Sequence, residues 1–279
     1  MKKIYLPLAF LFISIIAFAQ NGSKIKVAPG QKIVVENSTE IQASLPMGME
    51  LSSNSNSINA LEVKNSTDRD ITISNTLKKM KVNMNMMGQA GSYDSQNKEG
   101  NNEEMAKIFD DRLDKPVDIV VDNRTGTVVS DTKKENKASG GAALPVDDLL
   151  KMFSDVSDNG IVSGAFELIP AGKNVGDSWS DSSVTKDMKL VRKFTLKSVN
   201  GNEAVIDVEV VSNDVSKLNF QEMEFEVKKQ SKTKGEITAD PNTGLVSKRT
   251  SNAEISGTIQ MMGQDTPVSA KTSSTSIYR

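Results

Sequence analysis

The stretch Asp70-Ile71-Thr72-Ile73-Ser74-Asn75-Thr76-Leu77-Lys78-Lys79-Met80-Lys81-Val82-Asn83-Met84-Asn85-Met86 decides the fold class. Its apolar side chains fall at every second residue, the period of a strand with one buried face. Ile71, Ile73 and Leu77 occupy odd positions, whereas Met80, Val82, Met84 and Met86 occupy even ones. The parity changes at Lys78-Lys79. One extra residue in a bulge there would re-aim the side chains and bend the strand. At about 3.3 Å per residue the run spans on the order of 55 Å, so it reads as one long bent strand or two strands meeting at the lysines.

The same period extends to both sides. Ile33 and Val35, then Ile58, Leu61 and Val63, precede the run, and Val117, Ile119 and Val121 follow it. Asp122-Asn123-Arg124-Thr125-Gly126 then turns the chain into Thr127-Val128-Val129. Two stretches change period. After a polar loop over 88–102, Met105, Ile108, Phe109 and Leu113 lie at i, i+3, i+4 and i+8, which predicts a helix over 103–113. Asn101 or Asn102 can cap it, and Pro116 ends it. Beyond a polar linker at 133–141, Val146, Leu149, Leu150, Phe153 and Val156 predict a second helix over 145–156. Pro145 suits its first turn and Gly160 its C-terminal side.

Ile169-Pro170-Ala171-Gly172-Lys173-Asn174-Val175-Gly176-Asp177-Ser178-Trp179 then leads into a second β-rich half. Trp179, the single tryptophan, reads as a core anchor at a strand start. Leu190, Phe194 and Leu196 alternate, Asn200-Gly201 signals a hairpin, and Ala204, Ile206, Val208 and Val210 return. Met223, Phe225 and Val227 alternate with Glu222, Glu224 and Glu226. Ile237 and Ala239 lead to Asp240-Pro241-Asn242-Thr243-Gly244. Ala253, Ile255, Gly257, Ile259 and Met261 alternate again, and Val268, Ala270 and Thr272 continue. One apolar and one polar face per strand is the pattern of an antiparallel sheet wet on one side. The expected class is mainly β with minor α: two β-rich halves of curved antiparallel sheet covering two amphipathic helices.

The expected divisions are a signal peptide at 1–19, a β-rich first half with a helical insertion at 20–132, a linker and helix at 133–168, and a β-rich second half at 169–279. The leader is read from Lys2 and Lys3, the apolar run from Ile4 to Phe18, and Ala17-Phe18-Ala19 before Gln20. It implies export to the periplasm or beyond. Removing its two lysines from the 34 basic residues leaves 32 against 36 acidic ones, a net charge of about −4 that suits no nucleic-acid partner. No later run is long and apolar enough to span a membrane as a helix. Aromatic residues make up 5% of the chain, too few for the girdles of a transmembrane barrel. The halves look duplicated. The two Asp-x-x-Thr-Gly turns correspond if the first half carries one inserted helical excursion, although Met86-Met87-Gly88-Gln89 and Met261-Met262-Gly263-Gln264 do not fit that alignment.

The leader, the Asp-x-x-Thr-Gly turn, the helix and the Val175-Gly176-Asp177-Ser178-Trp179 motif together resemble a family of secreted Bacteroidota proteins of unknown function. That resemblance implies no activity and no catalytic residues. Many members resemble lipoproteins, whereas this chain has no Cys to lipidate. The order of strands and helices is also similar to periplasmic lipoprotein carriers of the LolA type, which implies a curved sheet around helices with an apolar cavity.

Cys and His are both absent. Ser-His-Asp triads, Cys-His pairs and His-ligated zinc are therefore excluded. A carboxylate pair remains open, but Glu222, Glu224 and Glu226 read as a solvated sheet face. Asp155-Val156-Ser157-Asp158-Asn159-Gly160 matches the opening of a calcium loop, yet Phe166 stands where the closing Glu belongs, so it reads as a helix end with a polar turn. Clustered Met could bind Cu(I), but without His or Cys it reads as a deformable apolar surface. No cofactor or metal is expected.

Met80, Val82, Met84, Met86, Phe109, Phe153, Met223 and Phe225 are the candidate ligand-binding residues, an apolar wall between sheet and helices. The expected function is an exported non-catalytic binding protein for a lipid or other apolar ligand. A dry core is the competing outcome for the same residues. An envelope or surface scaffold with no small-molecule ligand is the alternative function, and a carboxylate-dependent enzyme a third.

Overall fold

The computed structural model describes residues 24–86, 88–131, 153, 157–220, 223–261 and 263–279. The expected leader, the linker at 133–141 and the helix at 145–156 apart from Phe153 lie outside the described residues. The strands are β1 (Lys32–Leu45), β2 (Met49–Ser66), β3 (Asp70–Met86), β4 (Gln89–Asp94), β5 (Pro116–Asp122) and β6 (Val128–Asp131) in the first half. They are β7 (Ser178–Val184), β8 (Met188–Asn200), β9 (Glu203–Phe220), β10 (Met223–Ala239), β11 (Val246–Met261) and β12 (Gln264–Tyr278) in the second. The helices are α1 (Glu103–Asp110) and α2 (Asp158–Ser163). No described helix is long and apolar enough to cross a membrane.

The fold is mainly β, as the alternation predicts, but the halves are one sheet. Its order is β6-β5-β3-β2-β1-β12-β11-β10-β9-β8-β7, with β4 attached to β3 beside that path. All the strand pairings are antiparallel. The first and last strands join the halves at the centre, from Val35 opposite Tyr278 to Ser44 opposite Ser269.

The run at 70–86 is a single strand. Its register against β2 shifts as expected: Ile58 faces Lys79 while Asn59 faces Leu77, so Lys78 is the extra residue. Both lysines point to solvent, and each parity on either side of them stays buried. Each half is a meander whose fourth and fifth main strands are joined by an Asp-x-x-Thr-Gly turn. In the first half β4 and α1 are the excursion between β3 and β5. At the opposite, upper end Met86 pairs with Gln89 and Met261 with Gln264, and Gly88 and Gly263 turn these hairpins at φ near +79° and +78°.

Asn102 caps α1 by accepting from the Glu104 and Met105 amides, and acidic residues occupy the first turn. Met105 and Phe109 are its buried residues. Of the helix end and polar turn expected at 155–160, residues 155 and 156 lie outside the described residues, and 157–160 are instead the start of α2, capped by Ser157 Oγ accepting from the Gly160 amide at 3.0 Å. The 88–102 loop contains β4, whose only buried side chain is Tyr93. A strand with one apolar residue carries no period to read.

The sheet curls around two hydrophobic clusters. The lower one gathers Ile119 and Val121 from near one edge with Phe194 and Leu196 from near the other, so the two ends of the sheet share a core. Two straps close that end. The Ile25 amide donates to the Asn123 carbonyl at 3.0 Å and the Lys26 amide to the Thr243 carbonyl at 2.9 Å, linking the two Asp-x-x-Thr-Gly turns. Phe166 pairs with Leu245, and the Val246 amide donates to the Ala165 carbonyl at 2.9 Å.

The turns themselves are held by carboxylates. Asp122 Oδ1 accepts from the Arg124 and Thr125 amides at 2.8 and 2.9 Å, and Asp240 Oδ1 from the Asn242 amide at 2.8 Å. Backbone donation from Asn242 lowers the Asp240 carboxyl below its usual 3.8. Burial pushes Asp122 upward, but the Arg124 and Thr125 donors outweigh it and leave that carboxyl lowered too. A lowered folded pKa gives stability that is present above the unfolded value and is lost as pH falls. Thermal unfolding across pH should therefore show a decline below about pH 4 that Asp122→Asn with Asp240→Asn flattens. At neutral pH each Asp→Ala change should cost at most about 1 kcal/mol.

Candidate functional site

The inward side chains of the central strands define a wall with apolar ends and a polar middle. Strand period sets which residues face inward, and register sets which of them stand side by side. Three rows cross the wall. Ser57, Asn37, Ser276 and Arg249 make one; Ser55, Thr39, Ser274 and Ser251 make the next; Ser53, Ile41, Thr272 and Ala253 make the third. This belt lies between the lower cluster and an upper one built on Leu45, Leu51, Tyr93 and Phe109, which extends down β3 beside the belt through Met84, Val82 and Met80.

Part of the belt is internally bonded. Asn37 Nδ2 donates to Thr39 Oγ1 at 3.3 Å, Thr39 Oγ1 to Ser274 Oγ at 3.3 Å, and Ser276 Oγ to Asn37 Oδ1 at 2.7 Å. Asn59 Nδ2 donates to Asn75 Oδ1 at 3.0 Å, and Asn75 Nδ2 to Asp158 Oδ1 at 3.1 Å. Ser53 Oγ, Ser57 Oγ and Asn59 Oδ1, all on β2, are buried with no hydrogen-bond partner. Such atoms are uncommon in folded proteins, because water is given up and nothing replaces it.

The charges around this wall are paired. Arg249 lies 3.1 Å from Glu167, Arg112 3.6 Å from Asp158, and Lys229 3.3 Å from Asp214. Burial pushes the Glu167 carboxyl up, against the pull of Arg249 and Arg192. Burial and the bond to Asp110 at 2.7 Å raise the Tyr93 phenol, fixing it as a neutral donor beside α1.

The outward face is a different surface. Hollows of about 1060 and 490 Å³ are lined by Gln42, Ser52, Asn85, Lys232, Glu254 and Lys271, and by Glu40, Asn54, Asn83 and Ser92 among others. A third, of about 420 Å³, lies against Glu36, Asn56, Lys79 and Lys81. Only the largest is mainly polar; the other two expose more apolar than polar surface, and their linings also include Ser57 and Met80, and Ser53 and Met84, of the strands that build the wall.

The structure brings most of the expected ligand-binding residues together. Met80, Val82, Met84, Phe109, Phe153 and Phe225 are buried in the upper cluster, and Met86 packs partly exposed against it. Met223 opens β10, and its side chain lies outside the described residues. Met80, Val82 and Met84 stand directly opposite Ser57, Ser55 and Ser53. Trp179 stacks on Phe194 with ring centroids 5.4 Å apart and packs against the lower cluster. The serines of β2 escape a sequence reading. Residues 52–57 are Ser or Asn on both faces, so no contrast marks which side is inward.

Residues 145–246, a minority of the chain, match a model described as a family of unknown function, DUF6263. The match includes the Val175–Trp179 motif. No curated protein matches the chain in sequence. Among solved structures, the chain is similar to one titled for lipid–protein interactions in lipovitellin. The TM-score is 0.52 at 10% identity, over 91% of this chain. The matched region is 25% of the lipovitellin chain, so the likeness concerns the fold of one part of a much larger molecule. An outer membrane channel from Pseudomonas putida F1 aligns at a TM-score of 0.27 and 9% identity, over 92% of this chain and 98% of that one. At that score the alignment carries no argument.

Phe109 connects α1 to the wall, 1% exposed and 5.1 Å from the Tyr93 ring. Phe109→Ala should cost about 3–5 kcal/mol, read as a shifted denaturant midpoint. Lys107→Ala on the exposed side of α1 should stay within about 0.5 kcal/mol of the parent.

Proposed function

We propose that this chain is an exported, non-catalytic binding protein that holds a lipid or another apolar ligand between the inner wall and α1. One observation carries the reading. The inner wall runs the length of strands of 14 to 18 residues, yet among the described residues the helical cover over its upper half is short, the eight-residue α1 with Leu113 just beyond it and Phe153, the rest being the curled sheet itself. A sheet needs a second layer over its apolar face. Methionine supplies much of that face, at Met80 and Met84 with Met49 and Met86 packed beside them, and its flexible thioether re-packs around varied shapes. The leader supports export. The lack of Cys and His supports a role without thiolate or imidazole chemistry. The fold likeness to a lipovitellin structure titled for lipid–protein interactions agrees with an apolar cargo.

A scaffold role without ligand is the second reading. Val191 and Val211 stand opposite each other on the outward face, 38% and 41% exposed, near the open edge strand β7.

Uptake of the uncharged dye N-phenyl-1-naphthylamine separates the two. The wild type should bind it saturably, and Met84→Glu should weaken binding at least about tenfold, because a carboxylate would sit in the apolar wall. Phe109→Asp, folded by circular dichroism, should do the same. A wild type that takes up no dye would refute the carrier reading and favour the scaffold.

A further inference from the structure

We propose that the polar belt on β2 receives the uncharged hydrogen-bonding group of an amphiphile, the hydroxyl or ester of an acylglycerol-type lipid. Its chain would lie along Met80, Val82 and Met84. The inference rests on the apolar-ligand reading above and names the ligand class.

Four observations lead there. First, three buried unpartnered atoms are placed together, whereas Asn123 Oδ1, Asp214 Oδ1 and Arg249 Nε, also unpartnered, lie on other segments. Ser53, Ser57 and Asn59 share one face of one strand and are 6%, 6% and 1% exposed. A wall meant only for hydrocarbon or for a dry core gains nothing from hydroxyl groups there. Second, the orientation of Asn59 is fixed by its neighbours. The Asp158 carboxylate can only accept, so Asn75 turns its Nδ2 toward it and its Oδ1 toward Asn59. Asn59 then donates to Asn75 and leaves its own Oδ1 as a free acceptor. That atom needs a donor, whereas the Ser57 hydroxyl can donate or accept. A group carrying both a hydroxyl and a carbonyl satisfies both. Third, Ser57 and Asn59 lie two residues apart on β2, about 7 Å, within the span of a glycerol ester.

The fourth observation concerns charge. Arg112, Arg192, Lys229 and Arg249 each lie within ion-pair distance of a carboxylate. Among the described residues the cations beside the wall already face a carboxylate; Arg249 Nε is itself buried without a partner, but an anionic head reaching it would meet the Glu167 carboxylate that holds the same guanidinium. A fatty acid or an anionic phospholipid would bring an unpaired charge to a buried place. A neutral head would not.

The register then places head and tail. Ser57 faces Met80 across β2 and β3, and successive rows up the sheet pair Ser55 with Val82 and Ser53 with Met84. A chain leaving the belt toward the upper hairpins passes from serine to methionine without crossing a charged residue.

The test is displacement of bound N-phenyl-1-naphthylamine by 1-monooleoylglycerol and by oleate. The wild type should prefer the glyceride about tenfold or more. Ser57→Ala should lose about threefold to tenfold of glyceride affinity, measured against the variant's own dye affinity, and Ser57→Thr, which keeps the hydroxyl, should restore it. Ligand-free Ser57→Ala should melt no lower than the wild type, since it removes an unpaired hydroxyl and no bond. Equal or better displacement by oleate would overturn the inference while leaving the apolar-ligand reading standing. A glyceride preference that survives Ser53→Ala with Ser57→Ala would do the same, and would mark the belt as hydrated only. Absence of dye uptake by the wild type would overturn both readings together.

Discussion

The ladder between β1 and β12 is the interaction on which the molecule depends. Ten residue pairs join the first strand of the sheet to the last, at the centre of the sheet. Within each half, neighbouring strands are joined by short turns, apart from the β4–α1 excursion between β3 and β5, and can pair locally. The central ladder has no such help, because nearly the whole described chain lies between its two members. Closing so long a loop is slow and entropically unfavourable until both meanders exist, which makes this a late step in folding. Without it each meander would expose a long unpaired edge, a template for association with other chains.

The same ladder creates the candidate site. Ser57 and Asn37 come from one end of the chain, and Ser276 and Arg249 from the other. They form one row only because β1 meets β12 in a fixed register. A slip of one residue would turn Asn37 and Thr39 outward and bring Glu36, Ser38 and Glu40 onto the inner wall. Two buried clusters with a polar belt between them are therefore a product of register. The straps through Ile25 and Phe166 hold the lower ends of the two halves at matching height, and the Arg249 to Glu167 pair ties the second strap to β11.

Much of this was legible from the residues and part was not, for physical reasons. The parity change at Lys78-Lys79 located a bulge because one added residue must reverse every side chain beyond it. Asn102 and the spacing of Met105 and Phe109 located α1. The two turns were legible because Asp accepting from its own downstream amides and Gly at positive φ are local requirements. Joining of the halves into one sheet was not legible, since pairing between distant strands leaves no mark on either alone. β4 was missed because Tyr93 is its single buried side chain, and α2 because six residues are too short for a period. The belt was hidden most completely. Its serines alternate with other serines and asparagines, and only a partner strand tells inward from outward. The methionine wall was visible as a pattern, whereas the polar atoms facing it required the fold.

The central claim is that the inner wall carries a neutral amphiphile in the cell. Native mass spectrometry of the protein purified without detergent from its own envelope, followed by extraction and identification of any released molecule, tests it most directly. The account predicts a stoichiometric non-covalent adduct in the mass range of a lipid, with an uncharged head carrying hydroxyl or ester groups. A chain that leaves its envelope bare, or one that carries only anionic lipid, would contradict it.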